Sequence, residues 1–419
     1  MAVHIARPKE NPDTPQLSAL SKEYELAANP PPPTTQSAPL KSAASQNNSA
    51  NVQAIGWDLF KLNLRQLREI KALGFDAVTL NCLWEDVQPK EGIWNWGEFA
   101  RYVNDAQSAG LQLTFRGPFA CPFWMGESFA MCDHRGKSSF SGKYGRVASF
   151  WNLDAQNRID EFISRAWDAL GLENFWALET NIGTSGECLF QSVRWNPDGS
   201  HDNEVPLWCF DEWALRAFRL AMRARYMDDL GALNRAAGQA WKNWSEVLPA
   251  RDVESATYFG DTLAWYQGEL LKYIDGMIHR LQPHARIILP HAINLDYAPA
   301  YWGAGSAEIE PMLFELGENW HKRFVEVAHF HYSFLLSFNP ALYYYFAKHI
   351  SRAHPQRAFA GVEYCIGAPK NAPLIKSIGF SGMICGVNDH LYEFANGAPT
   401  RLIAKNARLL AQAIENFKA

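Results

Sequence analysis

No apolar run in the sequence approaches the ~20 residues that a membrane-spanning helix requires, so no bilayer partner is expected. Cations are not in surplus either. The 39 Lys and Arg stand against 44 Asp and Glu, a formal net charge of -5, which argues against nucleic acid, whose phosphate backbone calls for a concentrated basic excess. The cysteines, Cys82, Cys121, Cys132, Cys188, Cys209, Cys365 and Cys385, are odd in number and include no C-x-x-C pair. That pattern excludes a disulfide scaffold or a structural zinc site and points to reduced thiols. There is no phosphate-cradling Gly loop and no G-x-S-x-G elbow, which removes nucleotide-binding and serine-hydrolase readings. The first residues, MAVHIARPKE, hold no signal-peptide core, so a cytoplasmic location is expected rather than export by a cleaved signal.

What is present is a chain of 419 residues, 47% hydrophobic and 20% charged, large enough for one big or two medium domains. Aromatic residues make up 13%, an excess that serves either core packing or stacking on the apolar faces of sugars. Residues 1–52 are rich in Pro, Ser, Ala, Gln and Asn, and cannot bury enough apolar surface to offset ordering entropy. They are expected to form a disordered polar leader. Leaders of this composition also direct signal-independent type III secretion, the alternative to a cytoplasmic location.

From residue 53 to 419 the chain alternates β-branched runs with amphipathic stretches, the pattern of parallel strands joined by helical crossovers. Strands are predicted over 52–59, 75–84, 111–119, 174–182, 285–293, 325–334, 357–366 and 380–389, with helices including 63–74, 96–110, 155–171 and 400–417. Eight such strands predict an α/β fold, a (β/α)8 TIM barrel forming one catalytic domain. The stretch 183–284 is too long for one crossover and predicts a helical insertion after strand 4.

In such a barrel, chemistry collects just past the C-terminal ends of the strands. Glu363 lies in the seventh strand run among apolar neighbours, where an ionised carboxylate is costly to bury unless it faces a polar pocket. Glu187 lies past the fourth strand in NIGTSGECLF, a Gly-rich segment whose backbone can approach a ligand closely. Glu179, inside the fourth strand, is the competing second carboxylate; its direction depends on register. Two carboxyls flanking a glycosidic bond can act as acid and as base or nucleophile. Other strand ends supply candidate sugar contacts: Trp84, Glu85, Arg116, Trp124, His291, Asn294, Asp296, His329, His331, Tyr332, Asn388 and Asp389. His329 and His331 share a strand face, but no further ligand is spaced near them, so no metal is expected.

LWEDVQPKEGIWNWGEF, GLQLTFRGPFACPFWM and MCDHRGK resemble the second and third strand regions of family-42 glycoside hydrolases, the β-galactosidases built on a (β/α)8 barrel. The stretch holding Tyr226, Leu233, Asn234 and Trp241 is similar to an insertion in that family. An Asn-Glu pair closes the family's fourth strand, whereas Thr180 and Asn181 stand at the matching positions here. NIGTSGECLF is similar instead to the G-x-G-x-x-G-E-x-R segment of β-amylases (family 14), which sets Glu187 on their catalytic acid and Asn181, a further candidate sugar contact, on the first Gly. Glu363 matches the second catalytic Glu of both families. The resemblance implies a glycoside hydrolase without cofactor acting on a carbohydrate: β-galactosidase-like and retaining, or β-amylase-like and inverting. A barrel that binds glycans or a host target without turnover is the remaining alternative. The oligomeric state is left open.

Overall fold

The computed structural model describes residues 51–59, 62–139, 145–179, 194–196, 198, 200–202, 207–251, 256–281, 284, 286–292, 324–330, 358–362, 368–386 and 391–419. Eight parallel strands close into a barrel: β1 (Ala54–Leu59), β2 (Ala77–Leu83), β3 (Gln112–Phe119), β4 (Ala177–Glu179), β5 (Ile287–Ala292), β6 (Phe324–Phe330), β7 (Ala358–Val362) and β8 (Gly382–Gly386). They follow one another around the ring in chain order, and β8 pairs with β1. All eight predicted strands are there, most beginning one to three residues later than predicted and β6 one residue earlier. The leader, apart from residues 51 and 52, lies outside the described residues.

Side-chain alternation explains the closure. Ala54, Val78, Leu80, Cys82, Leu113, Phe115, Leu178, Ile287, Met383 and Cys385 form one buried set with residues of the surrounding helices. The opposite parity, with Ile55, Trp57, Ala77, Ala177, Ile288, Phe359 and Ile384, makes a second, separate cluster filling the barrel. Within it Gly382 sits in register with Phe359 and leaves room for its ring, since a Cβ there would lie 2.1 Å from a ring carbon. Gly382→Ala is therefore expected to cost about 1–3 kcal/mol, with partial recovery when Phe359→Leu is added. Urea unfolding of the single and double variants checks this; additive losses would show that the ring does not need the space.

The helices start where local chemistry caps them. α1 (Leu64–Ala72) opens on a capping box, Asn63 accepting from the Gln66 amide at 3.1 Å while the Gln66 side chain accepts from the Asn63 amide at 2.9 Å. α2 (Gly97–Ser108) follows β2, and α3 (Leu153–Leu170) ends on left-handed Gly171. The insertion is helical as predicted: α4 (Glu212–Arg225), α5 (Leu230–Ala237) and the 26-residue α6 (Ala256–Leu281), whose Tyr266, Leu270, Ile274 and Met277 pack in the core. A short ribbon pairs Arg194–Trp195 with His201–Asp202. α7 (Ala368–Ile378) precedes β8.

Two features depart from the sequence reading. The last helix, α8, spans Ala404–Lys418, not 400–417, because residues 400–402 belong to a hairpin of β9 (Tyr392–Ala395) and β10 (Ala398–Leu402). Its turn is Asn396-Gly397, both at positive φ (51° and 76°), a strong hairpin signal. The connection after β3 is also built up, with bridges pairing Cys121 with Arg146, Ala130 with Ala148 and Cys132 with Ser138.

The two ends of the folded region meet at Asp76. Its Oδ2 accepts from the Gln53 and Ala54 amides at 2.9 and 3.0 Å, and its Oδ1 accepts from Lys418 Nζ at 2.7 Å. Asp76→Ala is expected to lower stability by about 2 kcal/mol, and Lys418→Met by less, because the two amide bonds survive in the second variant. Equal losses in urea unfolding would show that the amide bonds contribute nothing.

Candidate active site

The upper part of the barrel interior is polar, unlike the apolar filling below it. Thr114 Oγ1 donates to Thr79 Oγ1 at 2.7 Å. One residue pair nearer the C-terminal ends, Asn81 of β2 is in register with Arg116 of β3, which is in register with Glu179 at the end of β4. Arg116 and Glu179 are each 1% exposed, and both Nε and Nη2 of the guanidinium lie 2.7 Å from Glu179 Oε1. Trp57 of β1 stacks its ring 3.7 Å from the guanidinium carbon. A charged layer thus sits directly beneath the barrel mouth.

The described sugar-contact candidates occupy varied places. Trp84, 2% exposed, packs its ring 5.2 Å from Phe162 of α3 and donates from Nε1 to Gln88 Oε1 at 2.7 Å. It continues the outward parity of Leu80 and Cys82, so it serves the core between barrel and helices. Arg116 likewise points into the barrel and is held by Glu179 rather than offered to solvent. Glu85 is half-buried in a helical turn after β2, and burial, followed by the adjacent Asp86, pushes its carboxyl up. Trp124 is half-buried, with Nε1 donating to the Gln88 carbonyl at 2.7 Å and Arg158 lying 5.7 Å over its ring. His291 lies on β5 and His329 on β6, each one residue before its strand's last, with His329 in register with Ala292 and Gly361. Asn181, Glu187, Asn294, Asp296, His331, Tyr332, Glu363, Asn388 and Asp389 lie outside the described residues.

Cys82, Cys121, Cys132, Cys209 and Cys385 are free thiols. Burial raises the first four, with Cys121 and Cys132 pushed up to about 12, so these are not nucleophiles at neutral pH. Among the described residues no group of three or more His, Cys, Asp or Glu could hold a metal ion. No described helix is long and apolar enough to cross a membrane.

Sequence reasoning missed the Arg116–Glu179 pair, whose only linear signal is two opposite charges in neighbouring predicted strands. It also missed Trp57 and Asn81, although both sit at the ends of predicted strands.

Several solved structures share the fold. The catalytic domain of β-amylase from Paenibacillus polymyxa is similar over 86% of this chain and 98% of that one, with a TM-score of 0.64 at 18% identity. The β-galactosidase of Marinomonas ef1 is similar over 87% of this chain and 59% of that one, with a TM-score of 0.57 at 12% identity. The family-42 β-galactosidase Gan42B from G. stearothermophilus gives 88% and 57%, a TM-score of 0.58 and 12% identity. The chain therefore spans somewhat over half the length of these β-galactosidases. No protein-family model matches the sequence, and no curated protein matches it. The fold is the (β/α)8 barrel of glycoside hydrolases such as β-amylases and family-42 β-galactosidases.

Proposed function

We propose that the chain is a glycoside hydrolase that cleaves an O-glycosidic bond of an oligosaccharide or glycoside with two carboxylates, Glu187 as general acid and Glu363 as general base or nucleophile. One observation carries this reading: Glu363 directly follows Val362, the last residue of β7, and Glu187 follows eight residues after Glu179, the last of β4. β4 and β7 are three strands apart in a closed ring of eight, so groups leaving their C-terminal ends can face each other across one mouth. Glu179 is not assigned as the acid, since a proton donor has to carry its proton, and protonation would break the buried pair with Arg116.

In the reaction the Glu187 carboxyl donates its proton to the leaving oxygen as the bond to the anomeric carbon breaks. Glu363 either takes a proton from a water attacking the opposite face, inverting the centre, or attacks the carbon itself in a retaining route. Carboxyls about 6.5 to 9.5 Å apart leave room for the water, whereas about 5 to 5.5 Å suits direct attack. Coverage of 98% of the β-amylase catalytic domain favours a β-amylase-like, inverting action on a glucan over a β-galactosidase-like one. His291, Asn294, Asp296, His329, His331, Tyr332, Asn388 and Asp389, with Asn181, are the proposed sugar contacts.

The test is proton NMR of the first product formed from maltopentaose and from 4-nitrophenyl β-D-galactopyranoside. Release of β-maltose from maltopentaose is expected. Retained galactose from the second substrate alone would replace the glucan reading with the galactoside one. Binding of these or other oligosaccharides without any product would replace hydrolysis by glycan binding.

A further inference from the structure

We propose that Arg116 and Glu179 form a positioning pair that fixes the C-terminal end of β4, from which the chain departs toward Glu187. The inference rests on the two-carboxylate reading above. The described residues of β4, Ala177–Glu179, are in register with Thr114 to Arg116 of β3, and Leu178 and Glu179 with Ile287 and Ile288 of β5. Glu179 is the last described residue before the segment that leads to Glu187. Arg116 and Glu179 are register partners as well as ion partners, and one carboxylate oxygen lies 2.7 Å from two guanidinium nitrogens.

The guanidinium is in turn clamped by the Trp57 face from β1. Three strands, β1, β3 and β4, are thereby tied in a single layer under the mouth. An apolar filling of the same volume is often as stable as a buried ion pair, or more so, and the apolar cluster deeper in the barrel shows that it packs apolar side chains readily. A charged pair in this layer therefore gains its advantage from geometry. The charge-assisted hydrogen bond from Arg116 Nε to Glu179 Oε1, with Nη2 within ion-pair distance of the same oxygen, is directional in a way that contacts between interchangeable aliphatic side chains are not. Neither residue touches the sugar in this assignment; both act through the segment that carries the acid.

The experiment compares Glu179→Gln, Arg116→Lys and Arg116→Met with the wild-type protein on maltopentaose and 4-nitrophenyl β-D-galactopyranoside. It records kcat, KM, the pH profile of kcat and the thermal midpoint. Misplacing a reacting group by about 1 Å costs on the order of a hundred-fold, so Glu179→Gln and Arg116→Met should lower kcat on maltopentaose about that much with KM within about two-fold, and kcat on the nitrophenyl glycoside far less, because its leaving group needs no proton. Arg116→Lys, which keeps the charge, should recover part of the loss. The limb of the profile set by the acid should move in Glu179→Gln.

Should Arg116→Met fail to fold, Glu179→Gln and Arg116→Lys carry the test. A lowered thermal midpoint with unchanged kcat and pH profile, assayed well below that midpoint, would leave the pair a structural element only and overturn the proposal. A wild-type protein that turns over neither substrate nor any other glycoside overturns the hydrolase reading and this assignment together. Wild-type turnover that is indifferent to the pair overturns this assignment alone.

Discussion

Glu363→Gln is expected to lower turnover of maltopentaose and of an aryl glycoside alike by roughly a thousand-fold, with the folded structure intact by circular dichroism. In the proposed mechanism its carboxylate activates the attacking water or is itself the attacking group, and either role is needed whatever the leaving group is. The acid behaves differently. Glu187→Gln should cost a similar factor on maltopentaose, whose sugar alkoxide leaves poorly without a proton, and far less on the nitrophenyl glycoside, whose phenolate leaves unaided. Applied to Glu179→Gln, the same comparison separates the two candidate acids: a loss dependent on the leaving group at Glu179 and not at Glu187 would exchange their roles. Full activity in Glu363→Gln would remove that residue from the reaction.

A second large effect is expected at Asp211, which caps α4. Its Oδ1 accepts from the Ala214 amide and from Ser149 Oγ, both at 3.0 Å, joining the insertion to the connection after β3, and the residue is 8% exposed. Oδ2 has no hydrogen-bond partner among the described residues. Burial pushes the carboxyl up from 3.8 to about 6, against the lowering effect of the Ala214 and Ser149 bonds. A group whose folded value is raised binds its proton more tightly folded than unfolded. The penalty of keeping Asp211 charged is thus full above about pH 6, shrinks as pH falls through that value, and is gone below the ordinary carboxylate range.

Its size at neutral pH is roughly 3 kcal/mol, at about 1.4 kcal/mol for each pH unit separating the folded and unfolded values. Asp211→Asn keeps an acceptor for both bonds and removes the charge. Relative to the wild type, the variant should therefore be about 2.5 kcal/mol more favourable at pH 8 than at pH 4, a comparison in which all other titrations cancel. Urea midpoints across that range decide it, and parallel curves for the two proteins would show that the carboxyl is not desolvated as the structure has it.

The barrel was legible because short, mostly apolar runs alternate with amphipathic helical segments. The insertion was legible because 183–284 exceeds any crossover. The strand starts were less so: the run 174–182 reads as one strand, yet 172–174 form a 3-10 turn and β4 begins at Ala177. Pairing was not legible at all. Trp84 and Arg116 both stand at strand ends, but parity sends Trp84 outward onto Phe162 and Arg116 inward onto Glu179, and a run of apolar residues does not state its parity when both faces are buried. The hairpin at Asn396-Gly397 was written in the sequence and was masked by the helical pattern that follows it.

The clasp at Asp76 and the pairing of β8 with β1 bear on how the protein is made. Until residues 382–386 have left the ribosome, β1 carries an open edge on one side, and until Lys418 has emerged its ion pair with Asp76 cannot form. A nascent chain can assemble most of the sheet and still present a bare strand to its neighbours, the situation in which chaperones earn their keep. Truncations that remove only the final helix and β8 should therefore yield insoluble material rather than a smaller working barrel.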